Sequence, residues 1–235
     1  MKNLKNLAVV FAFVSIVGWG PFTFFSNINS SQNEAIGSSE WLAKETKVII
    51  SQVDSLSPEA VKTGLTAYQK ARKEGLDNKE VLTIIDFSKP SRDPRLLVFD
   101  VKNQKVLFNT WVAHGKNSGA ETPNSFSNDP RSLKSSLGVF VTSDIYNGEH
   151  GESLRVRGLE AGFNDNAYRR DIVFHSALYV GEDVAKTRGM LGRSWGCMAV
   201  DPHTIKPLIN AIKGQTLVVA YYPYQPWLKN SSFLT

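Results

Sequence analysis

The sequence predicts a mainly β domain with a few short helices, preceded by an N-terminal helical segment. Three observations carry that prediction. From residue 82 onward short apolar or alternating runs recur, with the length and period of strands buried on one or both faces. Clusters of Gly, Asn, Ser and Pro separate them, as turns and loops do. Upstream, Ser57-Pro58-Glu59 reads as an N-cap serine with proline at the first helical position, and Val61, Leu65 and Tyr68 follow at helical spacing until Gly75.

Taken in order, Met1-Lys2-Asn3-Leu4-Lys5 and the apolar residues 7–25 have the charge and hydropathy of an export signal. Gly18, Gly20 and Pro21 suit a cleavable signal, yet residues 7–25 are also long enough to anchor in a bilayer, so both outcomes stay open and export is expected in either. Residues 27–37 are rich in Asn, Ser and Gln, a linker composition. Strands are expected at 82–87, 96–101 and 106–113, with Lys102-Asn103-Gln104 as a tight connection. Residues 114–136 read as a long surface loop, 137–143 and 153–159 as strands, and Asn147-Gly148 as the hairpin turn between them. Residues 172–174 form a short strand that ends at His175, residues 182–190 a helical turn or lid, 202–212 a helix and 217–222 a last strand. The implied division is a signal or anchor over 1–27, a linker and helical segment over 28–79, a catalytic domain over 80–226 and a tail over 227–235.

A chain of 235 residues can bury a core of its own, and its single cysteine excludes an internal disulfide. An unpaired cysteine in an exported protein is uncommon, which marks Cys197 for a chemical role over that of a small buried hydrophobe. The net charge of +5 includes Lys2 and Lys5, and no Lys/Arg block or interleaved aromatic stripe indicates nucleic acid as a partner.

The candidate site is Gly192-Arg193-Ser194-Trp195-Gly196-Cys197 together with Phe174-His175-Ser176-Ala177. A nucleophilic thiol needs a base, because at a free pKa of about 8.5 little of it is thiolate at pH 7. His175 is the nearest upstream imidazole. Lowering the thiol pKa to about 6 takes about 3 kcal/mol, within reach of a paired imidazolium and backbone amides. Gly196 allows a sharp turn that aims N–H groups at an oxyanion beside the sulfur. Cys197 as nucleophile, His175 as base and then acid, and a third group orienting the ring make an acyl-transfer constellation.

Rival readings are weaker. Gly192-Arg193-Ser194-Trp195-Gly196 matches the nucleophile elbow Gly-x-Ser-x-Gly, but the acid and histidine that should follow Ser194 have only a short C-terminal stretch in which to occur. Lys62-Thr63-Gly64 matches a triplet of serine enzymes, yet no Ser-x-x-Lys accompanies it. His114, His150, His175 and His203 are scattered without metal-ligand spacing, so no metal is expected. His114 and His150, each before a glycine, suit loops at a cleft rim.

His-Ser-Ala at a strand end followed by Ser-x-Gly-Cys resembles the catalytic domain of bacterial L,D-transpeptidases, and specifically a less typical branch of murein L,D-transpeptidase catalytic domains. Val112-Ala113-His114-Gly115-Lys116, Phe126-Ser127-Asn128, Ser135-Ser136-Leu137-Gly138, Gly158-Leu159-Glu160 and Asn164-Asp165-Asn166-Ala167 extend the likeness over residues 80–222. The resemblance implies a β-sandwich catalytic domain and attack by Cys197 on tetrapeptide stems of peptidoglycan, with release of D-alanine and formation of a thioester. It implies that the backbone carbonyl of Ser176 orients His175, that N–H groups of Gly196 and Cys197 form the oxyanion hole, and that no cofactor is needed. The better-known branch carries Ser-His-Gly-Cys and a polar residue two places after the cysteine, where this chain has Trp195 and Ala199. Arg193, Trp195, His114, Asn164 and Tyr146 are the expected substrate-binding residues. Hydrolysis alone, or a non-catalytic envelope-binding module, are the alternative functions.

Overall fold

The computed structural model describes residues 36–235. The run at 7–25, read as signal or anchor, and most of the 27–37 linker lie outside the described residues. The described chain runs α1 (Ser39–Gln52), α2 (Pro58–Lys73), β1 (Val81–Asp86), β2 (Leu96–Asp100), β3 (Lys105–Thr110), β4 (Gly138–Gly148), β5 (Gly151–Gly158), β6 (Val173–Ser176), α3 (Glu182–Arg188), β7 (Met198–Val200), α4 (Ile205–Ile212), β8 (Leu217–Tyr221) and α5 (Gln225–Asn230).

All eight strands join one curled sheet in the order β3-β2-β1-β8-β4-β5-β6-β7. Two neighbouring pairs are parallel, β1 with β8 and β6 with β7. The layers expected of a sandwich are thus parts of one continuous hydrogen-bonded sheet. Its central strands are buried on both faces, which is why they read as unbroken apolar runs. Ile85, Leu96, Val98, Phe140, Phe174, Met198 and Val218 face one core, closed by Ile205, Leu208, Ile209 and Ile212 of α4. Leu82, Ile84, Leu97, Phe99, Val139, Leu217 and Val219 face a second core, covered by α1 and α2.

The N-terminal helices pack on the sheet, and the described residues, 36–235, fall in one compact unit. The Ser38 side chain caps α1 by accepting from the Trp41 N–H, and Trp41, Glu45 and Ile49 turn one face inward. Ser57 caps α2 and is itself held by Asp86 at the end of β1, which accepts from the Ser57 N–H and Oγ, both at 2.8 Å. Gly64 explains the Lys62-Thr63-Gly64 triplet as packing, because a Cβ there would lie 2.6 Å from Ile84.

Two further expectations change. The residues after 226 are no loose tail: Trp227 of α5 is fully buried and its indole N–H donates to Glu160 Oε2 at 3.0 Å. The same carboxylate accepts from the Val139 N–H at 2.7 Å and from the Ser231 hydroxyl, so α5 is tied to the sheet. A short helix with one deeply buried aromatic leaves little periodicity to read. The β4–β5 turn falls at Glu149-His150 instead of Asn147-Gly148, because Gly148 pairs with Gly151 and Gly151 takes the left-handed conformation at φ +77°.

Trp227→Ala removes a fully buried ring and leaves Glu160 short of a donor. The variant is expected to lose about 3–5 kcal/mol of unfolding free energy in urea titrations.

Candidate active site

Pairing of β6 with β7 sets the site. In their parallel register His175 lies opposite Ala199. Cys197 stands two positions before Ala199, the strand spacing that returns a side chain to the same face. Both side chains line a cleft of about 370 Å³. A larger cavity of about 620 Å³ between Trp111, α3 and the Asp201–Thr204 turn contains neither of them.

His175 is buried, and its Nδ1 lies 2.8 Å from the Ser176 carbonyl oxygen. A carbonyl only accepts, so Nδ1 carries the proton and Nε2 is the free basic nitrogen. Burial holds the His175 pKa below the usual imidazole range; the Ser176 carbonyl opposes that shift, and the neighbouring His150 reinforces it. The Cys197 thiol donates to the Asp171 carbonyl at 3.4 Å. Burial pushes its pKa up, against the Val173 backbone N–H and the Arg170 charge, which favour the thiolate. Desolvation drives both groups toward their neutral forms.

The turn carrying the cysteine is held from below. Gly196 has φ +121°, and a Cβ on it would lie 2.7 Å from the Lys134 carbonyl and 3.3 Å from the Arg170 guanidinium. Arg170 donates to the carbonyls of Ser127 and Lys134 and to the hydroxyls of Ser136 and Ser132. It thereby knits the 127–136 loop under the turn. The Gly196 N–H donates to Ser194 Oγ at 3.1 Å, and that hydroxyl donates onward to the Cys197 carbonyl at 2.7 Å. This corrects the expected oxyanion pair, since the Gly196 N–H is already engaged. The Cys197 N–H finds no acceptor among the described residues and remains available. Ser194, the elbow's rival nucleophile, is buried in this structural role.

Of the residues expected to touch substrate, Tyr146, Arg193 and Trp195 line the cleft. Trp195 is 72% exposed and flanked by Lys116, while Arg193 donates to the Gly119 carbonyl. His114 and Asn164 do not line it, and both are fully buried. His114 Nδ1 meets Arg95 at 2.8 Å, and its backbone carbonyl accepts from the Ser194 N–H at 2.9 Å, so it supports the cysteine turn from behind. Arg95, fully buried, donates twice to the Val112 carbonyl and once to that of Lys89. Asn164 spends its amide on the Leu137 and Val139 carbonyls and the Glu160 N–H, pinning its own loop to β4. The loop at 114–136, expected on the surface, carries the buried His114, Ser118, Ser135 and Ser136.

Sequence reasoning missed Asp171, Arg170 and Tyr179. Asp171 adopts φ +53°, a left-handed conformation that aspartate tolerates, and its carboxylate pairs with Arg155 at 2.6 Å while its carbonyl accepts the hydrogen bond of the thiol. The available signal was their position, immediately before and after the strand that carries His175.

Two outcomes follow from these contacts. Gly196→Ala, strained in backbone and crowded by Lys134, is expected to cost about 1–3 kcal/mol in a urea titration. Burial drives the His114 pKa down to about 4 from an ordinary 6.5, so the unfolded chain binds more protons between those values. Stability should fall by up to about 3 kcal/mol as pH drops through that window, and the drop should flatten in His114→Asn, as read by denaturation at a series of pH values.

A family model described as the L,D-transpeptidase catalytic domain matches residues 52–221. No curated protein matched the sequence. Among solved structures, an L,D-transpeptidase from Mycobacterium smegmatis is similar at 14% identity and TM-score 0.37, over 61% of this chain and 59% of that one. A structure described as the Ldtfm-avibactam carbamoyl enzyme is similar at 15% identity and TM-score 0.34, over 60% of this chain and 48% of that one. This chain thus spans less than two thirds of the length of either structure. The family model covers most of the chain, including both strands and the turn that build the cleft, and the chain belongs to the L,D-transpeptidase catalytic domain family.

Proposed function

We propose that this protein is a cysteine acyltransferase of the cell envelope, exported by its N-terminal run, that acts on tetrapeptide stems of peptidoglycan. The observation that carries this reading is the meeting, in one cleft, of the chain's single cysteine with a histidine whose Nδ1 is committed to the Ser176 carbonyl. Family membership supports the reaction class.

Cys197 attacks the amide carbonyl after the third stem residue. Because burial favours the neutral thiol and the neutral imidazole, His175 Nε2 takes the proton as the carbon–sulfur bond forms, without a standing ion pair. The thiol first turns away from the Asp171 carbonyl, its partner in the free protein. The free Cys197 N–H faces the developing oxyanion, with Arg170 supplying positive charge beneath the turn. Imidazolium then returns its proton to the departing nitrogen, releasing D-alanine and leaving a thioester. An amine of a second stem resolves the thioester as a crosslink. The exposed Trp195 offers a face for the stem and Arg193 a partner for its carboxylate.

Purified protein incubated with a disaccharide-tetrapeptide, followed by mass spectrometry, should lose one D-alanine and form dimers. Cys197→Ala should abolish both products, and His175→Gln should slow them about 10²–10⁴-fold. D-alanine loss without dimers would make the enzyme a carboxypeptidase. No change dependent on Cys197 would move the assignment to an envelope-binding module.

A further inference from the structure

The cleft holds a second imidazole that the acyl-transfer reading leaves without a role. His150 occupies the tip of the β4–β5 hairpin, and its ring lies on the His175 ring with centroids 4.4 Å apart and planes inclined by 22°. The catalytic candidate is thus held at its edge by the Ser176 carbonyl and on its face by His150. We propose that His150 is a positioning residue for His175, fixing the plane of the base by stacking on its face. This rests on the reading of His175 as the base.

The hairpin is built to deliver that ring. Gly148 lets the Tyr146 ring fold against the hairpin backbone, since a Cβ at Gly148 would lie 2.7 Å from it. The Arg155 guanidinium stacks on Tyr146 at 4.6 Å and pairs with Asp171 at 2.6 Å. Asp171 in turn accepts the Cys197 thiol through its backbone carbonyl. The tip that carries His150 is therefore linked through Tyr146 and Arg155 to the segment that holds the nucleophile.

Charge around the pair is mixed. Glu149 and Tyr146 belong to the hairpin, Asp171 precedes β6, Tyr179 follows it, and Arg193 and Cys197 come from the nucleophile turn. Glu149 and Asp171 favour a cation in the cleft and Arg193 opposes one. The contact between the rings is closer than a general field effect, because two imidazolium groups at stacking distance repel even at the dielectric of water. His175 then keeps its basic form to lower pH than a single histidine at that site would.

The test uses the full chain with nitrogen-15 histidine, titrated by NMR as wild type, His150→Phe and His150→Ala. His150 is exposed at a hairpin tip, so neither substitution reaches the core. Phenylalanine keeps a ring on His175 but removes the second proton site. Its His175 midpoint should rise by about 0.5–1 unit, and the acid limb of kcat should rise with it. Alanine removes ring and charge, so the midpoint should rise and kcat on the disaccharide-tetrapeptide should fall about tenfold with little change in KM. An unchanged His175 midpoint in both variants, or kcat in His150→Ala equal to wild type, would overturn the proposal. Failure of the base assignment looks different: His175→Gln would then retain turnover while the His150 substitutions still moved the His175 midpoint.

Discussion

The site depends on the parallel pairing of two very short strands, β6 and β7. Three register pairs place His175 opposite Ala199 and so bring Cys197 to the same face. Strands this short cannot hold a register by themselves, and the surrounding contacts supply what they lack. From one side, buried Arg95 organises the Val112–His114 backbone, which hydrogen-bonds to the cysteine turn and to β7. From the other, Arg170 gathers the 127–136 loop beneath Gly196. Two arginines with most of their donors satisfied by backbone carbonyls and hydroxyls thus act as rivets for a site that has little regular structure of its own.

Desolvation then sets the chemistry. A thiol and an imidazole in a partly dry cleft are each pushed by burial toward their neutral forms. In the proposed reaction, charge would then arise only in the transition state, beside the Cys197 N–H and the Arg170 guanidinium.

Much of this was legible in the chain. Cys197 and His175 stood out because the cysteine has no possible disulfide partner and the histidine ends an apolar strand. Tyr146, Arg193 and Trp195 line the cleft. His114 and Asn164 do not, although they lie in equally suggestive polar stretches. A polar residue in a loop looks the same in sequence whether its hydrogen bonds are to solvent, to substrate or to the backbone behind the site. Their partners at Arg95, Leu137 and Val139 are distant enough along the chain that no local pattern announces them.

By itself the amino-acid sequence determined the strand-forming runs, the caps of α2, the need for glycine beside the cysteine and the two residues most fit for thiol chemistry. These are local properties, set by backbone sterics, side-chain period and the intrinsic reactivity of a thiol. Tertiary structure alone decided that α1, α2 and α5 are walls of the same core, that the Gly196 N–H is spent on Ser194, and that His150 lies on His175. It also set the burial that raises the thiol pKa. Burial, hydrogen-bond partners and charge neighbours exist only once the chain is folded, and they decide which of the available groups are free to react.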